Sequence, residues 1–341
     1  MSSKSAFTRR RAFTLIEVLV AAGITVLIAG WVVLILSNVL FSWSRISGKV
    51  EAERQARLVL DQLALDLQSA LFRDDGAVWL AATILDQPGN SGLWEMAARQ
   101  KPAGRAGHSL DPAAAGFAEA RFGQAGVWLR FFTDTRGSND LANFPTTASA
   151  PAAIAYQLIR HRAADNPAST DFRYLLYRSQ VRPGESAARP GTLESGFDLD
   201  PALAESDYTR IVPGVNDGTQ PDDPVSIRCP NNAGNVIGEN VIDFGVRFYA
   251  RDATGELTTV FPESEDQSEN LERTRFPAAI DVLVRVLTEQ GARQIVLLEA
   301  EPNRLGPRPV RYRNDAEWWW GIAEANSEVF VRRIVLPENS R

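Results

Sequence analysis

A long apolar run lies close to the N-terminus of the chain. The run Val18–Leu36 holds 19 residues and is interrupted only by glycine, alanine and one threonine. At about 1.5 Å per residue, a helix of this length spans roughly 28 Å, close to the hydrocarbon thickness of a bilayer. Residues 1–12 contain four basic residues and no acidic residue. The pattern predicts a membrane-spanning helix whose positive flank stays in the cytoplasm, with everything after about residue 40 on the far side.

The pattern changes to a helical stripe over residues 44–73. Apolar residues recur there mostly at spacings of three and four, which predicts an amphipathic helix with one buried face. No proline occurs before Pro88, so one helix can run from Phe13 to Phe72 and stop near Gly76. The heptad register is too irregular to favour a coiled-coil dimer. The predicted stripe consists of Ile46, Val50, Leu60, Leu63, Leu67 and Leu71 with intervening alanines, and the predicted solvent face of Glu51, Glu53, Arg54, Arg57, Asp61, Asp66 and Arg73.

After residue 76 the apolar residues fall into short runs, several of them alternating with polar ones. Alternation of this kind predicts half-buried antiparallel strands, and the stripe of the preceding helix would cover their apolar face. The prediction is therefore an α+β fold in which a long N-terminal helix packs on antiparallel sheet. Long connections are predicted at 86–126, 182–240 and 262–277. The predicted strands are Val78–Leu85, Val127–Thr133, Ile154–Arg160, Phe172–Ser179, Val241–Ala250, Leu257–Phe261, Ala278–Thr288 and Val329–Leu336.

Composition excludes several classes of protein. Hydrophobic residues make up 45% of the 341 residues and charged residues 23%, which excludes wholesale disorder. The formal net charge of −6 argues against a nucleic-acid partner, because phosphate binders present a basic face. A single cysteine, Cys229, permits neither an intrachain disulfide nor a cysteine-based zinc cluster.

Candidate catalytic and metal-binding residues are few. The two histidines, His108 and His161, lack the surroundings of a catalytic triad, and Cys229 is interpreted as an idle thiol. Acidic residues cluster at 217–223 and 263–269, but without the spacing of a calcium-binding loop, so solvated loops are favoured. No glycine-rich phosphate loop is present. We expect a non-enzymatic protein without a metal or cofactor.

Three consecutive tryptophans, Trp318, Trp319 and Trp320, are the remaining unusual feature. Adjacent residues are not expected to face one core from a single element. Either the three lie in an irregular segment at a junction, with packing as the favoured role, or at least one is exposed for contact with a partner or a glycan. Arg304, Arg308, Arg311 and Arg313 lie just upstream and could contribute to such a contact.

The N-terminal residues resemble a known class of export signal. The stretch RAFTLIEVLV at residues 11–20 is similar to the class III signal of type IV pilins and type II secretion pseudopilins. The resemblance implies cleavage between Ala12 and Phe13 by a prepilin peptidase, followed by methylation of the new Phe13 amine. The family usually has glycine before the cut, where this chain has Ala12. Removal of residues 1–12 would leave 32 basic side chains against 42 acidic ones.

Glu17 is out of place within an apolar segment, since a carboxylate near the end of a spanning helix costs about 1–3 kcal/mol unless it is paired. It could reach interfacial water by itself. The resemblance implies instead that Glu17 pairs with the N-terminal amine of a neighbouring subunit and thereby directs assembly.

The last hundred residues also resemble one branch of this family. The segments 239–249, 276–282 and 329–337 are similar, in order, to strands of J-type minor pseudopilins and W-type minor pilins. The resemblance implies a leader (1–12), a transmembrane half-helix (13–40), an amphipathic half-helix (41–75) and a periplasmic β-rich head (76–341).

Together these features predict a minor subunit near the tip of a secretion pseudopilus or pilus. It would be a single-pass protein of the inner membrane, in contact with lipid, with prepilin peptidase and with other pilin-like subunits through its helix. The alternative is a signal-anchored exported enzyme or carbohydrate-binding module.

Overall fold

The computed structural model describes residues 14–84, 126–133, 152–162, 172–181, 198–200, 227, 233–263, 267, 269–300 and 305–336. The chain divides into two compact units, Met1–Gly48 and Lys49–Arg341. We call the second unit the head. The division falls within the N-terminal helix, so the head includes the helical residues from Lys49 onward.

The first helix, α1, spans Leu15–Gln68 and contains 54 residues. The long N-terminal helix predicted from the sequence is therefore present. Its predicted C-terminal end at Phe72 is wrong, because Ala70–Leu71 form a short strand, β1, that pairs with a strand of the head. Phe13, the predicted first helical residue, lies outside the described residues.

Two antiparallel sheets build the head, and the predicted α+β class is confirmed. The first has the order β6-β5-β4-β3-β2-β9, with β1 also paired to β3, and the second has the order β11-β10-β7-β8. The strands after β1 are β2 Leu80–Ile84, β3 Val127–Thr133, β4 Ala152–Arg162, β5 Phe172–Val181, β6 Val236–Glu239, β7 Val241–Arg251, β8 Leu257–Phe261, β9 Glu269–Glu272, β10 Ala279–Leu287 and β11 Ser327–Val335.

The eight predicted strands are all present, two of them with both ends correct, Val127–Thr133 and Leu257–Phe261. Strands β6 and β9 were missed because each has only four residues and lies within a predicted connection. Two head helices, α2 Glu289–Ala300 and α3 Asp315–Ala325, were also missed. The prediction for the head considered strands alone.

The buried face of α1 is made of small and medium apolar side chains that join both sheets in one core. Its fully buried members are Ala52, Ala56, Val59, Leu60, Leu63, Ala64 and Leu67. Two residues assigned to this stripe from the sequence, Ile46 and Val50, are 61% and 60% exposed, so their assignment was wrong. Both precede the buried row, which begins at Ala52.

The first sheet is buried on both faces, which shaped its sequence. One face joins the core with α1, while the other forms a second cluster with Trp79, Trp128 and Phe132. Leu199 and Ile227, from otherwise undescribed connections, pack into that second cluster. All seven residues of β3 are consequently buried, including Arg130, and the strand does not alternate between apolar and polar positions.

Candidate functional site

The N-terminal part of α1 presents apolar side chains all around the helix. Residues Leu15–Leu40 are long and apolar enough to cross a membrane, and none of this stretch is buried within the protein. It is the one such helix in the part of the chain that the structure describes. An apolar helix without a protein partner on any side requires a lipid environment or other copies of similar helices.

Glu17 is hydrogen-bonded within its own first turn. Its Oε2 accepts from the backbone N–H of Thr14 at 2.9 Å and from the Thr14 hydroxyl at 3.0 Å, and the Glu17 N–H donates back to Thr14 Oγ1 at 3.3 Å. This reciprocal pattern is a capping box, in which an N-cap threonine and the glutamate three residues later satisfy orphan donors at the helix start. The sequence signal, threonine and glutamate in the order T-x-x-E before an apolar run, was available but was not used.

The remaining residues of the predicted processing site cannot be placed. Ala12 and Phe13, on either side of the predicted cleavage point, lie outside the described residues. Glu17 is therefore the one member of that set with known geometry, and its side chain is exposed. Its second carboxylate oxygen, Oε1, takes no part in the capping box. The Oε1 atom of Glu17 could therefore pair with a positively charged group of another molecule.

A buried carboxylate ties α1 to the first sheet. Asp66 is 7% exposed and binds Arg178 of β5 through both carboxylate oxygens, with Arg178 Nη2 to Asp66 Oδ1 at 3.0 Å. The Tyr156 hydroxyl of β4 donates to the same carboxylate. The predicted position of Asp66 on the solvent face is therefore wrong. Helical spacing alone could not identify it, because its partners come from strands 90 and 112 residues away.

The titration of these groups follows from their burial. Burial, together with the negative charge of Asp66, raises the pKa of Tyr156 well above its usual value of 10.0. Burial alone would lower the pKa of Arg178, but its hydrogen bonds and charge interaction with Asp66 outweigh that effect and raise it. The Tyr156 phenol is therefore neutral, and the Arg178 guanidinium charged, at neutral pH.

A second carboxylate, Glu299 of α2, joins the helices of the head to the first sheet. Glu299 Oε2 accepts from Arg160 Nε at 2.7 Å, and Oε1 accepts from the Tyr174 hydroxyl at 2.7 Å and from Trp319 Nε1 at 2.9 Å. Burial, then the charge of Glu299, raises the pKa of Tyr174 well above 10.0. The four side chains form one buried hydrogen-bonded group.

The three tryptophans are buried, as their favoured packing role predicts, but the expectation that one element could not bury all three is wrong. Trp318, Trp319 and Trp320 all lie on α3 and are 8%, 1% and 3% exposed. A single short helix can bury three adjacent side chains because α3 has neighbours on more than one side, including α2 and β11. Trp319 additionally meets the Tyr174 ring edge-on at 5.8 Å. Packing, the favoured role, is therefore their role in the structure, and none of them is available to a partner or a glycan.

The structure does not bring together the other candidate residues that it describes. His108 and Cys229 lie outside the described residues, and His161 lies within β4 beside Arg173 of β5 in the strand register. Glu269 belongs to β9 rather than to a loop, and its exposed side chain accepts from Thr83 Oγ1 at 3.0 Å. Within the described ranges, no three His, Cys, Asp or Glu side chains are grouped so that they could hold a metal ion.

Comparison with protein families identifies the N-terminal segment alone. Residues 7–33 match the model described as the prokaryotic N-terminal methylation motif. No curated protein and no solved structure gave a significant match to the chain. The match confirms the resemblance of this segment to the class III prepilin signal and covers the predicted cleavage point, Glu17 and most of the apolar run.

Proposed function

We propose that this protein is a non-enzymatic minor pilin-like subunit that is cleaved between Ala12 and Phe13, methylated on Phe13, and assembled near the tip of a type II secretion pseudopilus or type IV pilus. The N-terminal methylation motif is the observation that carries the proposal. Prepilin peptidase and other pilin-like subunits are its partners. A J-type pseudopilin is favoured slightly over a W-type pilin by the order of the C-terminal segments.

The two halves of α1 support this proposal physically. The exposed apolar half suits first a bilayer and then a bundle of similar helices, while the other half anchors a large head. The signal and the apolar helix are consistent with a single-pass membrane anchor. In the proposed topology the head is periplasmic and the leader cytoplasmic before cleavage.

Glu17 is the residue that the proposal requires for assembly. Its role as a helix cap and its role as a charged partner can be separated with three variants. Glu17→Ala removes the cap and the charge, and Glu17→Gln removes the charge but retains a side chain that suits a capping box. Thr14→Ala removes the capping partner and keeps the carboxylate.

The experiment co-expresses each full-length variant with its neighbouring pilin-like subunits and measures incorporation into sheared fibres or cross-linked complexes. We expect both Glu17 variants to lose incorporation and Thr14→Ala to retain most of it, because pairing with a freed amine requires the negative charge. If Glu17→Gln assembles as well as the unaltered chain, the carboxylate serves the helix cap and the charge-pairing role is refuted.

Processing is tested separately from assembly. The mass of the N-terminal peptide from the membrane-bound protein should correspond to a methylated Phe13 start. Recovery of a chain that retains residues 1–12 would contradict the proposed maturation and would favour an uncleaved signal anchor. Glu17 should then be dispensable.

A further inference from the structure

Arginines are concentrated within and beside one exposed turn of an otherwise acidic chain. Residues 303–313 contain four arginines and no acidic residue, although the whole chain has a formal charge of −6. The Tyr312 N–H donates to the Pro309 carbonyl at 3.0 Å and closes a turn with Val310 and Arg311 at its tip. Val310 is 102% exposed, which is the largest exposure among the large apolar side chains of the described residues. We call Pro309–Tyr312 the basic turn.

The basic turn is held in place from both sides. Tyr312 packs so closely on Gly321 of α3 that a Cβ at that position would overlap its ring. Arg308 binds Asp315 in the first turn of α3 at 2.7 Å. Pro307 and Pro309 restrict the backbone further. Val310 is therefore part of an ordered surface, and the backbone of the turn need not be ordered when it binds a ligand.

Two of the arginines, Arg311 and Arg313, form no ion pair with the residues that the structure describes. Arg311 lies over the Tyr312 ring at 4.7 Å, and Arg313 is held through its backbone N–H, which donates to Glu317 Oε2 at 2.8 Å. Both side chains belong to exposed residues, whereas Arg308 is engaged with Asp315. An apolar tip flanked by guanidinium groups is suited to a surface that offers phosphates above an apolar layer.

The turn belongs to a part of the head that is connected closely to the entry of the chain. It leads into α3, which ends directly before β11. Glu328, the second residue of β11, binds Lys49, the first residue of the head. Lys49 follows Leu40, the end of the apolar segment, by only nine residues. Because the head is joined covalently to the apolar segment, a membrane that holds that segment is present at high effective concentration for any exposed site of the head, including the turn.

We propose that the basic turn binds an anionic phospholipid surface, with Val310 entering the headgroup boundary and Arg311 and Arg313 contacting lipid phosphates. This inference rests on the membrane anchoring in the proposed function. The contact would set the orientation of the head on the membrane before assembly. Each arginine near such a surface contributes about a fivefold change in the docked-to-free ratio, so two contribute about 25-fold.

The chain supplies a matched control turn. Asp252–Gly255, between β7 and β8, is also a four-residue turn closed by a backbone hydrogen bond, from Gly255 N–H to Asp252 O at 3.0 Å. Its residues are exposed, as is the tip of the basic turn, but it carries an aspartate, and its one flanking arginine, Arg251, donates to the Gly255 carbonyl at 3.2 Å. Ala253 at its tip is therefore the counterpart of Val310.

The test uses the full chain, with Cys229→Ser, reconstituted in vesicles. A cysteine at Val310 (V310C) or at Ala253 (A253C) carries an environment-sensitive fluorophore, and the vesicles contain phosphatidylcholine with or without phosphatidylglycerol. With phosphatidylglycerol present, we expect the emission of the label at 310 to shift to the blue and to be quenched by lipid that carries a spin label on its headgroup. Without phosphatidylglycerol, neither change should occur. The label at 253 should remain water-like throughout. Adding Arg311→Gln and Arg313→Gln should lower the docked-to-free ratio about 25-fold. High salt should lower the same ratio by a smaller factor, because it screens the attraction between the arginines and the lipid phosphates.

The outcomes separate this inference from its premise. A chain that alkaline carbonate extracts from the vesicles is not anchored, which overturns both the proposed anchoring and the lipid contact. A retained chain whose label at 310 stays water-like overturns the lipid contact alone. If the blue shift of that label depends on the number of chains per vesicle and not on the lipid charge, the turn contacts other chains and the proposal is also refuted. Unchanged near-ultraviolet circular dichroism checks that each variant is folded.

Discussion

The apolar side chains in the two halves of α1 have different surroundings. In the first half, Leu27 is 62% exposed and has neighbours of similar character on every side of the helix. In the second half, Leu63 is completely buried while Leu58 is 56% exposed. A helix that is apolar on all sides requires an apolar environment outside the head. A helix with a single apolar stripe buries that stripe against the head itself.

The two acidic residues at opposite ends of α1 differ in a parallel way. Glu17 is exposed and satisfied by Thr14 three residues away, so its intramolecular contacts are entirely local. Asp66 is buried and satisfied by side chains from β4 and β5. A local partner is visible in the sequence, whereas a tertiary one is not. The comparison also indicates which substitutions should unfold the head and which should leave it intact.

The largest effect is expected from Asp66→Ala. This change leaves the Arg178 guanidinium and the Tyr156 hydroxyl buried without their common acceptor, and breaking a buried ion pair costs about 3–5 kcal/mol. The free energy of unfolding of the head, measured in urea by tryptophan fluorescence on the full chain in detergent, should fall by that amount. Asp61→Ala is the control, because Asp61 binds Arg332 at the surface and exposed pairs contribute about 0–1 kcal/mol. Equal losses in the two variants would contradict the assignment of Asp66 as the buried tie.

The next effect is expected from Leu63→Ala, which empties part of the core between α1 and the sheets. Leucine-to-alanine changes at fully buried positions cost about 2–5 kcal/mol. The same urea titration should show this loss for Leu63→Ala, and Leu58→Ala on the exposed side should change the value by less than about 0.5 kcal/mol. Leu27→Ala should leave head unfolding unchanged. A loss at Leu27 as large as at Leu63 would mean that the first half of α1 is packed within the protein.

The sequence predicted those features of the fold that depend on local periodicity. Both halves of α1 and all eight predicted strands followed from spacing, and the strand Val127–Thr133 was located to the residue. The helices α2 and α3 were missed. In α3 the run Trp318–Trp320 carries no helical stripe, because the element is enclosed on several sides and its apolar residues are not confined to one row.

The candidate site was predicted unevenly for the same reason. Glu17 and its apolar surroundings were recognised from a contiguous motif, which the family match confirms at residues 7–33. The capping partner Thr14 was equally local and was overlooked. Asp66, Glu299 and their partners could not have been found, since each contact joins residues 90 or more positions apart or, for Trp319, two elements that were not predicted. Pattern reasoning identified the half of α1 that lacks tertiary contacts better than the half that has them.

Alkaline pH should weaken the head through its buried phenols. Burial raises the pKa of Tyr156 and of Tyr174 well above 10.0, so the folded head keeps two protons that the unfolded chain releases. Their contribution is complete below about pH 10 and is lost as the pH rises further. The slope reaches about 1.4 kcal/mol per pH unit for each tyrosine. Urea midpoints measured from pH 8 to 11 should fall less steeply for Tyr156→Phe and Tyr174→Phe. An unchanged slope in both variants would contradict the burial of the two hydroxyls.

The smallest effect is expected at Arg57, on the solvent side of α1. It pairs with Glu53 one turn earlier, and both side chains are largely exposed, at 73% and 46%. Arg57→Gln should cost about 0.3–0.5 kcal/mol at low salt, and the difference should vanish in about 1 M salt, because screening removes an exposed pair. Arg178→Gln should destabilise the head at both salt concentrations, since its pair with Asp66 is shielded from the solvent. The salt dependence of the two losses in unfolding free energy thus distinguishes the solvent face of the helix from its buried face, whatever the size of each loss. A salt-independent loss at Arg57 would place that residue in contact with the body of the head.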